Sequence, residues 1–195
     1  MVEKNVPRPT KRARLTEAAA RIVHQQGVER TTISDIAQAA DVPVGNVYYY
    51  FKTKDDLVAA AVSEQARQLE LLTGHLNELP DPRERLKALI NQWGAQGETA
   101  ARYGCPTGTL AAELDKRAEA GLDAEVGNVI RALLDWVAAQ FQELGVPKPQ
   151  DKAIALVGAY QGMSVLANAL REPDIMKRES ARLIQQLDAI IADTR

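Results

Sequence analysis

Apolar residues recur at intervals of three and four along almost the whole chain, a pattern typical of helices with one buried face. Runs in which apolar and polar residues alternate, as in a half-buried strand, are missing from the sequence. The pattern therefore predicts an all-α protein with about nine helices. The first helix spans residues 10–26, and five apolar residues share one of its faces: Leu15, Ala18, Ala19, Ile22 and Val23.

Two short helices are predicted after the first one, because turn-forming residues interrupt the pattern. Gly27 is expected to end the first helix in a left-handed conformation. Thr31 or Thr32 offers a capping hydroxyl to the second helix. The Asp-Val-Pro sequence at residues 41–43 ends that helix, since proline disfavours the α conformation in the residue before it. Thr53 then caps a fourth helix that starts at Lys54.

Longer helices occupy the rest of the chain. The predicted elements are helices over residues 54–79 and 83–102, a loop over 103–109, a short helix around Leu110 and Leu114, and helices over 122–144, 150–171 and 173–193. We predict a small domain over residues 1–54 and a larger helical domain over residues 55–195. The small domain would bind DNA, and the larger one would bind a ligand and a second copy of the chain.

The charge distribution distinguishes the two predicted domains. The chain of 195 residues has a net charge of −2. Residues 1–54 contain nine lysines and arginines and five acids, which gives +4, whereas the remainder has fifteen bases and twenty-one acids, which gives −6. A basic head on an acidic body points to an anionic partner for the head. The basic arm over residues 7–14 is either a solvated tail or a contact to the minor groove or to phosphates.

Several classes of protein are disfavoured by composition. The polar, basic N-terminus is unlike a secretory signal peptide. No apolar stretch looks long enough to span a bilayer, so we expect a cytoplasmic protein with no membrane partner. The only cysteine, Cys105, forms no internal disulfide and is no basis for a metal cluster. We therefore predict neither a cofactor nor a metal.

The third predicted helix has an unusual composition. Val47 and Phe51 fall four residues apart and would face inward. The other positions place a dense set of residues outside: Val44, Gly45, Asn46, Tyr48, Tyr49 and Tyr50. One of three consecutive helical positions usually faces inward, so either Tyr48 or Tyr50 is expected to be mostly buried.

Such a helix suits the major groove of DNA. Tyrosine can bond a phosphate or pack on a thymine methyl group, and glycine lets the backbone approach closely. Lys52 and Lys54 flank the helix and can neutralise phosphates. Lys54 and Thr32 also stand at helix N-termini, whose free N–H groups favour an anion. The arrangement is that of a helix-turn-helix.

This segment resembles the TetR family of bacterial repressors. The matching motifs are T-x-x-x-I-A at residues 32–37, G-x-x-Y-x-Y-F at 45–51 and K-x-K-x-x-L at 52–57. The resemblance implies DNA contacts from Thr32, Val44, Gly45, Tyr48, Tyr49 and Lys54, with Val47 and Phe51 in the core. Many members have histidine in place of Tyr50 and phenylalanine in place of Val28.

A dimer is expected, because one short recognition helix makes few contacts. Two such helices would read the half-sites of a palindromic operator in double-stranded DNA, about 34–36 Å apart. The last two helices are the predicted interface, as in the resembled family. The helix over residues 150–171 is apolar on more than one side: it carries Ile154, Leu156, Gly158, Ala159, Tyr160, Gly162, Met163 and Leu166. A buried central helix of a monomer is the alternative.

The resembled family holds a small-molecule pocket among its middle helices. The candidates here are Trp93, Tyr103, Cys105, Leu110, Leu114, Trp136, Phe141, Tyr160 and Met163, each of which could equally be core. No paired charges mark the pocket, so the expected inducer is apolar, aromatic or electrophilic.

Cys105 is the most unusual of these candidates. It precedes a helix for which Thr107 or Thr109 looks like the N-cap, and a cysteine before a helix N-terminus can have a lowered pKa. The stretch G-C-x-x-G-T-L-A-x-E-L at residues 104–114 resembles a branch of TetR-like regulators, some of which sense reactive species through this cysteine. The alternative is a small buried apolar residue.

Other functions are less favoured. A hydrolase or transferase using Cys105 would need a base, and His24 and His75 have no partner motif around them. We therefore expect no enzymatic activity. A helical adaptor that binds protein leaves the exposed tyrosines and lysines unexplained. We expect a repressor that is released from its operator by a small molecule or by modification of Cys105. An activator with the same DNA contact is the alternative that the sequence leaves open.

Overall fold

The helices predicted from the periodicity are present in the computed structural model, which describes residues 9–116 and 121–193. Over these residues every regular element is a helix. In chain order they are α1 (Lys11–Gln26), α2 (Ile33–Ala39), α3 (Val44–Tyr50), α4 (Lys54–Leu76), α5 (Pro82–Ala95), α6 (Gly97–Tyr103), α7 (Pro106–Leu114), α8 (Leu122–Glu143), α9 (Pro149–Leu170) and α10 (Asp174–Ala192). The prediction of an all-α fold is confirmed.

The chain divides into two compact units, Met1–Glu64 and Gln65–Arg195. Sequence analysis places the boundary after residue 54, at the start of α4. The structure places it ten residues further on, because Leu57 and Ala61 of α4 belong to the apolar cluster of the first unit. The division of labour between the two domains stays a prediction.

The first unit is built from α1, α2, α3 and the first turns of α4. Its core consists of small and branched side chains: Leu15, Ala18, Ala19, Ala20, Ile36, Ala37, Ala40, Val42, Val47, Phe51, Leu57 and Ala61. The Thr10 hydroxyl accepts the Ala13 N–H at 3.2 Å and caps α1. Gly27 ends α1 with a φ of +84°, a value that favours glycine. The predicted start and end of α1 are therefore confirmed.

The second unit is organised around α9, which packs against α6, α8 and α10, while α10 runs along α5. Large core side chains come from α5, α8, α9 and α10: Leu86, Leu89, Ile90, Trp93, Phe141, Val157, Met163, Met176 and Leu187. Ion pairs at the surface support this packing. Asp188 of α10 accepts from Arg83 at 2.9 Å and from Lys87 at 3.1 Å, both on α5.

The single helix predicted over residues 83–102 is interrupted. Gln96 separates α5 from α6, so the described residues form ten helical segments, or nine if α5 and α6 count as one element. The break lies where Gly97 meets the loop before α10. A Cβ added to Gly97 would lie 2.7 Å from the Pro173 carbonyl oxygen. The predicted count of about nine helices agrees with the structure when α5 and α6 are counted together. The break between them was not predicted.

The loop predicted over residues 103–109 was wrong. Helix α6 continues to Tyr103, and α7 already begins at Pro106. Only Gly104, with a φ of +76°, and Cys105 lie between them. Glycine and proline mark a turn in a sequence, but proline also suits the first residue of a helix, which is its role here.

Helix α9 is long and apolar enough, by length and composition, to cross a membrane. The expectation that no stretch reaches that length was wrong. Core helices of soluble proteins pass the same test. In α9 the side chains of Val157, Tyr160, Met163 and Ala167 are buried inside the second unit. Packing inside the second unit therefore explains the apolar residues on one side of α9.

Candidate DNA-binding helix and ligand cavity

The turn before α3 is held by side chains and backbone together. Val42 donates its N–H to the Ala37 carbonyl at 3.0 Å, and Asp41 adopts a φ of +52°. Arg14 of α1 donates to the carbonyls of Ala40 at 2.8 Å and Asp41 at 3.0 Å. Its guanidinium thereby satisfies carbonyls at the end of α2, which have no partner within the helix. Sequence analysis placed Arg14 in a basic arm and missed this structural role.

Helix α3 has a buried side and an exposed side. Val47 is fully buried and Phe51, just beyond the helix, is 5% exposed, as predicted. Tyr48 and Val44 are exposed, and Tyr49 is 78% exposed. Tyr50 is half-buried against the core, with its ring edge-on to Tyr49 at 4.9 Å. Of the two tyrosines for which burial was considered, Tyr50 is therefore the one that packs inward.

Gly45 and Asn46 complete the exposed side of α3. Gly45 is exposed, and a Cβ built there would meet no atom within 4 Å. Packing inside the chain therefore does not require glycine at this position. Glycine at this position would instead allow another molecule to approach the backbone closely. Asn46 is half-buried instead of exposed.

The two lysines near α3 bind backbone carbonyls. Lys52 donates its Nζ to the Tyr48 carbonyl at 2.8 Å, and Lys54 donates to the Glu29 carbonyl at 3.0 Å. Each ammonium has three N–H groups, so these bonds leave donors for a phosphate. They also hold the Lys52 charge at the Tyr48 carbonyl and the Lys54 charge at the turn that follows α1.

Thr32 takes part in a capping box with Asp35. Its hydroxyl accepts the Asp35 N–H at 3.1 Å and donates to the Asp35 carboxylate at 2.7 Å, and its own N–H donates to that carboxylate at 2.9 Å. Thr53 and Asp56 repeat the arrangement at the start of α4, where Asp56 also accepts the Lys52 N–H at 2.8 Å. The Thr32 and Thr53 caps were predicted, but their acidic partners were not named.

These hydrogen bonds lower the pKa of both carboxyl groups. For Asp35 the largest cause is the side-chain bond from Thr32, followed by the Thr32 backbone N–H. For Asp56 the backbone N–H groups of Lys52 and Thr53 lower the pKa most. Both groups are therefore ionised at neutral pH, and each cap is fully formed there.

A cavity of about 150 Å³ lies within the second unit. Its wall is formed by residues of α4, α5, α7, α8 and α9 and by Gln96 and Cys105: Gln65, Gln68, Leu69, Leu72, Leu89, Trp93, Gln96, Cys105, Pro106, Thr107, Val129, Ile130, Leu133, Tyr160 and Gln161. Three of the predicted ligand-binding residues are among them, namely Trp93, Cys105 and Tyr160.

The other predicted ligand contacts lie elsewhere in the second unit. Leu110 and Leu114 of α7 are buried, and Met163 and Phe141 lie in the main core. Tyr103, at the end of α6, is half-buried. Trp136 donates its indole N–H to Asn77 at 3.0 Å. These six residues are not among those that line the cavity.

Cys105 lies at the N-cap of α7, where Thr107 or Thr109 was expected. Its sulfur accepts the Gly108 backbone N–H at 3.4 Å and the Gln161 amide N–H at 3.5 Å. The side chain is 7% exposed and borders the cavity. The prediction of the capping residue was wrong. Threonine hydroxyls are the usual caps, and here Thr109 instead donates its hydroxyl to the Cys105 carbonyl at 2.8 Å.

Tyr160 interacts with Cys105, and both residues line the cavity. Burial raises the pKa of the Tyr160 hydroxyl well above its ordinary value, and the charge interaction and hydrogen bond with Cys105 raise it further. The hydroxyl is thus held in its protonated form. The Tyr160 ring stacks on Trp93, with the ring centroids 4.4 Å apart.

Sequence reasoning missed the polar part of the cavity. Four glutamines line it: Gln65, Gln68, Gln96 and Gln161. They come from separate parts of the chain, and glutamine is ordinarily a surface residue of helices. Only packing shows that they share a cavity with Cys105 and Trp93.

The outer side of α9 carries an exposed stripe of small and apolar residues. We call it the α9 outer face, and it consists of Ile154, Ala155, Gly158, Gly162, Val165, Leu166, Ala169 and Leu170. Val165 is 64% exposed, and a Cβ at Gly158 or Gly162 would meet no atom within 4 Å. Leu156, Tyr160 and Met163, which the sequence analysis named among the apolar residues of the predicted interface helix, are buried inside the unit.

Comparison with known proteins finds a family match within the first unit. Residues 15–61 match the family model described as bacterial regulatory proteins, tetR family. An uncharacterized HTH-type transcriptional regulator of Mycobacterium tuberculosis is 27% identical over 184 residues, which cover 89% of this chain and 93% of the relative. The HTH-type transcriptional regulator BetI of Burkholderia lata is 35% identical over 85 residues, which cover 43% of this chain and 44% of BetI.

Solved structures extend the likeness to the whole fold. A TetR transcriptional regulator from Legionella pneumophila superposes with a TM-score of 0.81 at 14% identity, covering 93% of this chain and 98% of its own. The reduced form of NemR from E. coli superposes with a TM-score of 0.76 at 21% identity, covering 88% and 94%. At these identities the likeness establishes the fold, including the larger helical unit.

Proposed function

We propose that this chain, a DNA-binding transcriptional regulator of the TetR family, is a homodimeric repressor that a small molecule, or modification of Cys105, releases from a palindromic operator. The observation that supports it most is the two-sided construction of α3. Val47 and Phe51 anchor the helix in the core, while Tyr49, whose ring contacts that of Tyr50, is 78% exposed to solvent. A cytoplasmic location is expected for such a regulator.

The exposed side of α3 is the proposed reading surface. Tyr48, Tyr49 and Val44 would contact base edges or thymine methyl groups in the major groove, and Gly45 would let the backbone come close. Lys52, Lys54 and the α2 N-terminus at Thr32 would contact phosphates on either side. Tyr50, being half-buried, would contribute chiefly by positioning Tyr49.

DNA binding tests this reading surface. We expect the wild-type protein to bind DNA from its own upstream region, with an affinity that falls steeply with salt because counterions are released. Tyr49→Ala is expected to weaken binding at least about tenfold. Its thermal stability should stay unchanged, because an exposed side chain has little packing to lose. Leu71→Ala, on an exposed apolar residue of α4, is the matched control and should bind normally.

A randomised operator library provides the decisive outcome. If the wild-type protein selects no sequence from such a library at low salt, the proposed function is wrong. If Tyr49→Ala selects the same sequence with equal affinity, α3 is not the reading element.

The α9 outer face, together with α10, is the proposed dimer interface. Gly158 and Gly162 would let two helices approach closely, and the exposed apolar side chains around them would be covered by the partner. A dimer places two copies of α3 on two half-sites, which a single copy could not bind tightly.

Release requires a ligand that binds the DNA-bound and free forms unequally, with a coupling of about 1–3 kcal/mol. Helix α4 carries Leu57 in the core of the first unit and Leu72 in the cavity wall of the second. We expect a ligand in the cavity to shift α4 and so change the spacing of the two α3 helices. Structures with and without inducer that show equal spacing would contradict this mechanism.

Modification of Cys105 is the alternative route of release. The residue borders the cavity, and its sulfur accepts hydrogen bonds from the Gly108 N–H and the Gln161 amide. The likeness of residues 104–114 to a branch of cysteine-containing regulators points the same way. In this route the sulfur would add to one carbon of an electron-poor double bond, whose π bond opens as the C–S bond forms. The thiol proton would end on the neighbouring carbon, carried there by solvent.

Cys105→Ser separates the two routes. We expect a mild electrophile to release wild-type protein from DNA and to leave the variant bound, if the cysteine is the sensor. The variant should bind DNA normally without the electrophile. Equal release of both proteins, or of neither, would make Cys105 a structural residue and leave a non-covalent ligand as the inducer.

A further inference from the structure

The cavity in the second unit combines an apolar wall with uncharged polar groups. Of the fifteen described residues that line it, none is an aspartate, glutamate, histidine, lysine or arginine, and burial raises the pKa of the Tyr160 hydroxyl, which stays protonated. Four glutamines and Thr107 supply amide and hydroxyl groups. Each carboxamide offers two N–H donors and an oxygen acceptor. The wall is therefore suited to hydrogen bonds with a neutral polar group.

A charged ligand would find no partner of opposite charge on this wall. Burying an unpaired carboxylate or ammonium costs far more than burying a neutral group that forms hydrogen bonds. The N-terminus of α7 offers an anion at most the Thr107 N–H, because Pro106 has no N–H, the Gly108 N–H is donated to the Cys105 sulfur at 3.4 Å and the Thr109 N–H to the Cys105 carbonyl at 2.9 Å. The wall thus discriminates against both acids and amines.

The size of the cavity limits the ligand further. A cavity of about 150 Å³ accommodates a single benzene-sized ring. Trp93, Leu89 and Leu133 supply apolar and aromatic surface for such a ring. From the proposed ligand-dependent function and this wall, we infer that the cavity binds an uncharged, single-ring molecule bearing a carboxamide or similar neutral donor–acceptor group.

Gln161 is the residue through which this specificity can be tested. Its amide nitrogen lies 3.5 Å from the Cys105 sulfur. Its amide oxygen lies over Gly108, where an added Cβ would come within 2.5 Å of it. Gly108 lies inside α7, where alanine is a better helix former than glycine. Gly108→Ala therefore displaces the Gln161 amide without straining the helix backbone.

The experiment measures binding of matched probes to the full-length protein in the absence of DNA. Benzamide, benzoate and benzylamine share one ring and differ in charge. By calorimetry or ligand-observed NMR at millimolar concentrations, we expect benzamide to bind, and the two charged probes to bind at least about tenfold more weakly. Gln161→Leu and Gly108→Ala are each expected to weaken benzamide binding about fivefold.

Gly74→Ala is the control, because a Cβ at Gly74 meets no atom within 4 Å and the residue lies on the outside of α4. It should bind benzamide like the wild type. Thermal melts of all variants verify that each is folded. Absence of benzamide binding, binding of either charged probe with equal or higher affinity, or benzamide affinity unchanged in both variants would overturn the inference.

The outcome is separable from that of the proposed function. If benzamide does not bind as expected, the ligand inference is wrong, but the measured binding of operator DNA through α3 is unaffected. If the protein binds benzamide but no DNA, the proposal of a repressor is wrong, and the inference of a cavity for an uncharged ligand is supported.

Discussion

At the scale of single residues, the first unit depends on hydrogen bonds at the ends of short helices. The carboxylate of Asp35 and that of Asp56 each accept several N–H or O–H groups at a helix start. Short helices gain little from propensity alone, so such caps contribute much of what defines their boundaries. Thr32 and Thr53 were recognisable in the sequence because hydroxyl residues are strong N-caps.

The two caps make the first unit sensitive to acid. Because the pKa of Asp35 and that of Asp56 are lowered in the folded state, their stabilising contribution is complete above the unfolded pKa. It is lost as the pH falls through the lower, folded pKa. We expect an NMR titration of the carboxyl groups to give midpoints below the ordinary range of aspartate.

Two substitutions assign these shifts. Thr32→Ala should raise the pKa of Asp35 towards its ordinary value, because the Thr32 side chain is the largest cause of its shift, and should leave Asp56 unchanged. Thr53→Ala should raise the pKa of Asp56 by a smaller amount, because the backbone N–H groups of Lys52 and Thr53 remain. An Asp35 pKa that stays equally low in Thr32→Ala would show that the Thr32 hydroxyl is not its main cause.

At the scale of elements, the positions of the helix breaks depend on contacts that are distant in sequence. The break at Gln96 separates α5 from α6 where Gly97 meets the Pro173 carbonyl. Nearby, Arg171 and Asn168 donate to the Ala101 carbonyl at 3.0 and 3.2 Å. These bonds satisfy a carbonyl in the last turn of α6, which needs a partner from outside the helix.

Gly97→Ala tests the packing at this break. The new Cβ would lie 2.7 Å from a backbone carbonyl that has little freedom to move. We expect a loss of about 1–3 kcal/mol in the free energy of unfolding, measured by denaturant titration. Gly74→Ala, in open space on α4, should be neutral or stabilising by up to about 1 kcal/mol. A Gly97→Ala protein as stable as the control would mean that the contact is loose.

At the scale of the whole molecule, the α9 outer face is the surface through which we propose that two copies of the chain associate. Its exposed apolar residues form a continuous stripe, a feature that marks interaction surfaces. Leu71 on α4 is similarly exposed but has no comparable stripe around it.

Val165→Glu tests the proposed interface. Two glutamates would be buried without partners in each dimer, so we expect the dimer dissociation constant to rise at least about a hundredfold. Analytical ultracentrifugation should show monomers that retain a helical circular dichroism spectrum, and operator binding should weaken with dissociation. Leu71→Glu should remain dimeric. A dimer that survives Val165→Glu with unchanged affinity would place the interface elsewhere.

The sequence by itself determined the helical class, most helix boundaries and the two-sided character of α3. These features depend on local information: an apolar period of 3.6 residues, hydroxyl caps, and glycine or proline at the ends. The identity of Val47 and Phe51 as anchors followed from a spacing of four residues, which brings side chains to one helix face.

Only the tertiary structure decided which neighbour each apolar face meets. Period alone marks α9 as apolar on several sides, but packing assigns Tyr160 and Met163 to the core and Val165 to the surface. Packing likewise brings Gln65, Gln96 and Gln161 together around Cys105. Such sites depend on contacts between residues far apart in the chain, and a single sequence carries no record of those distances.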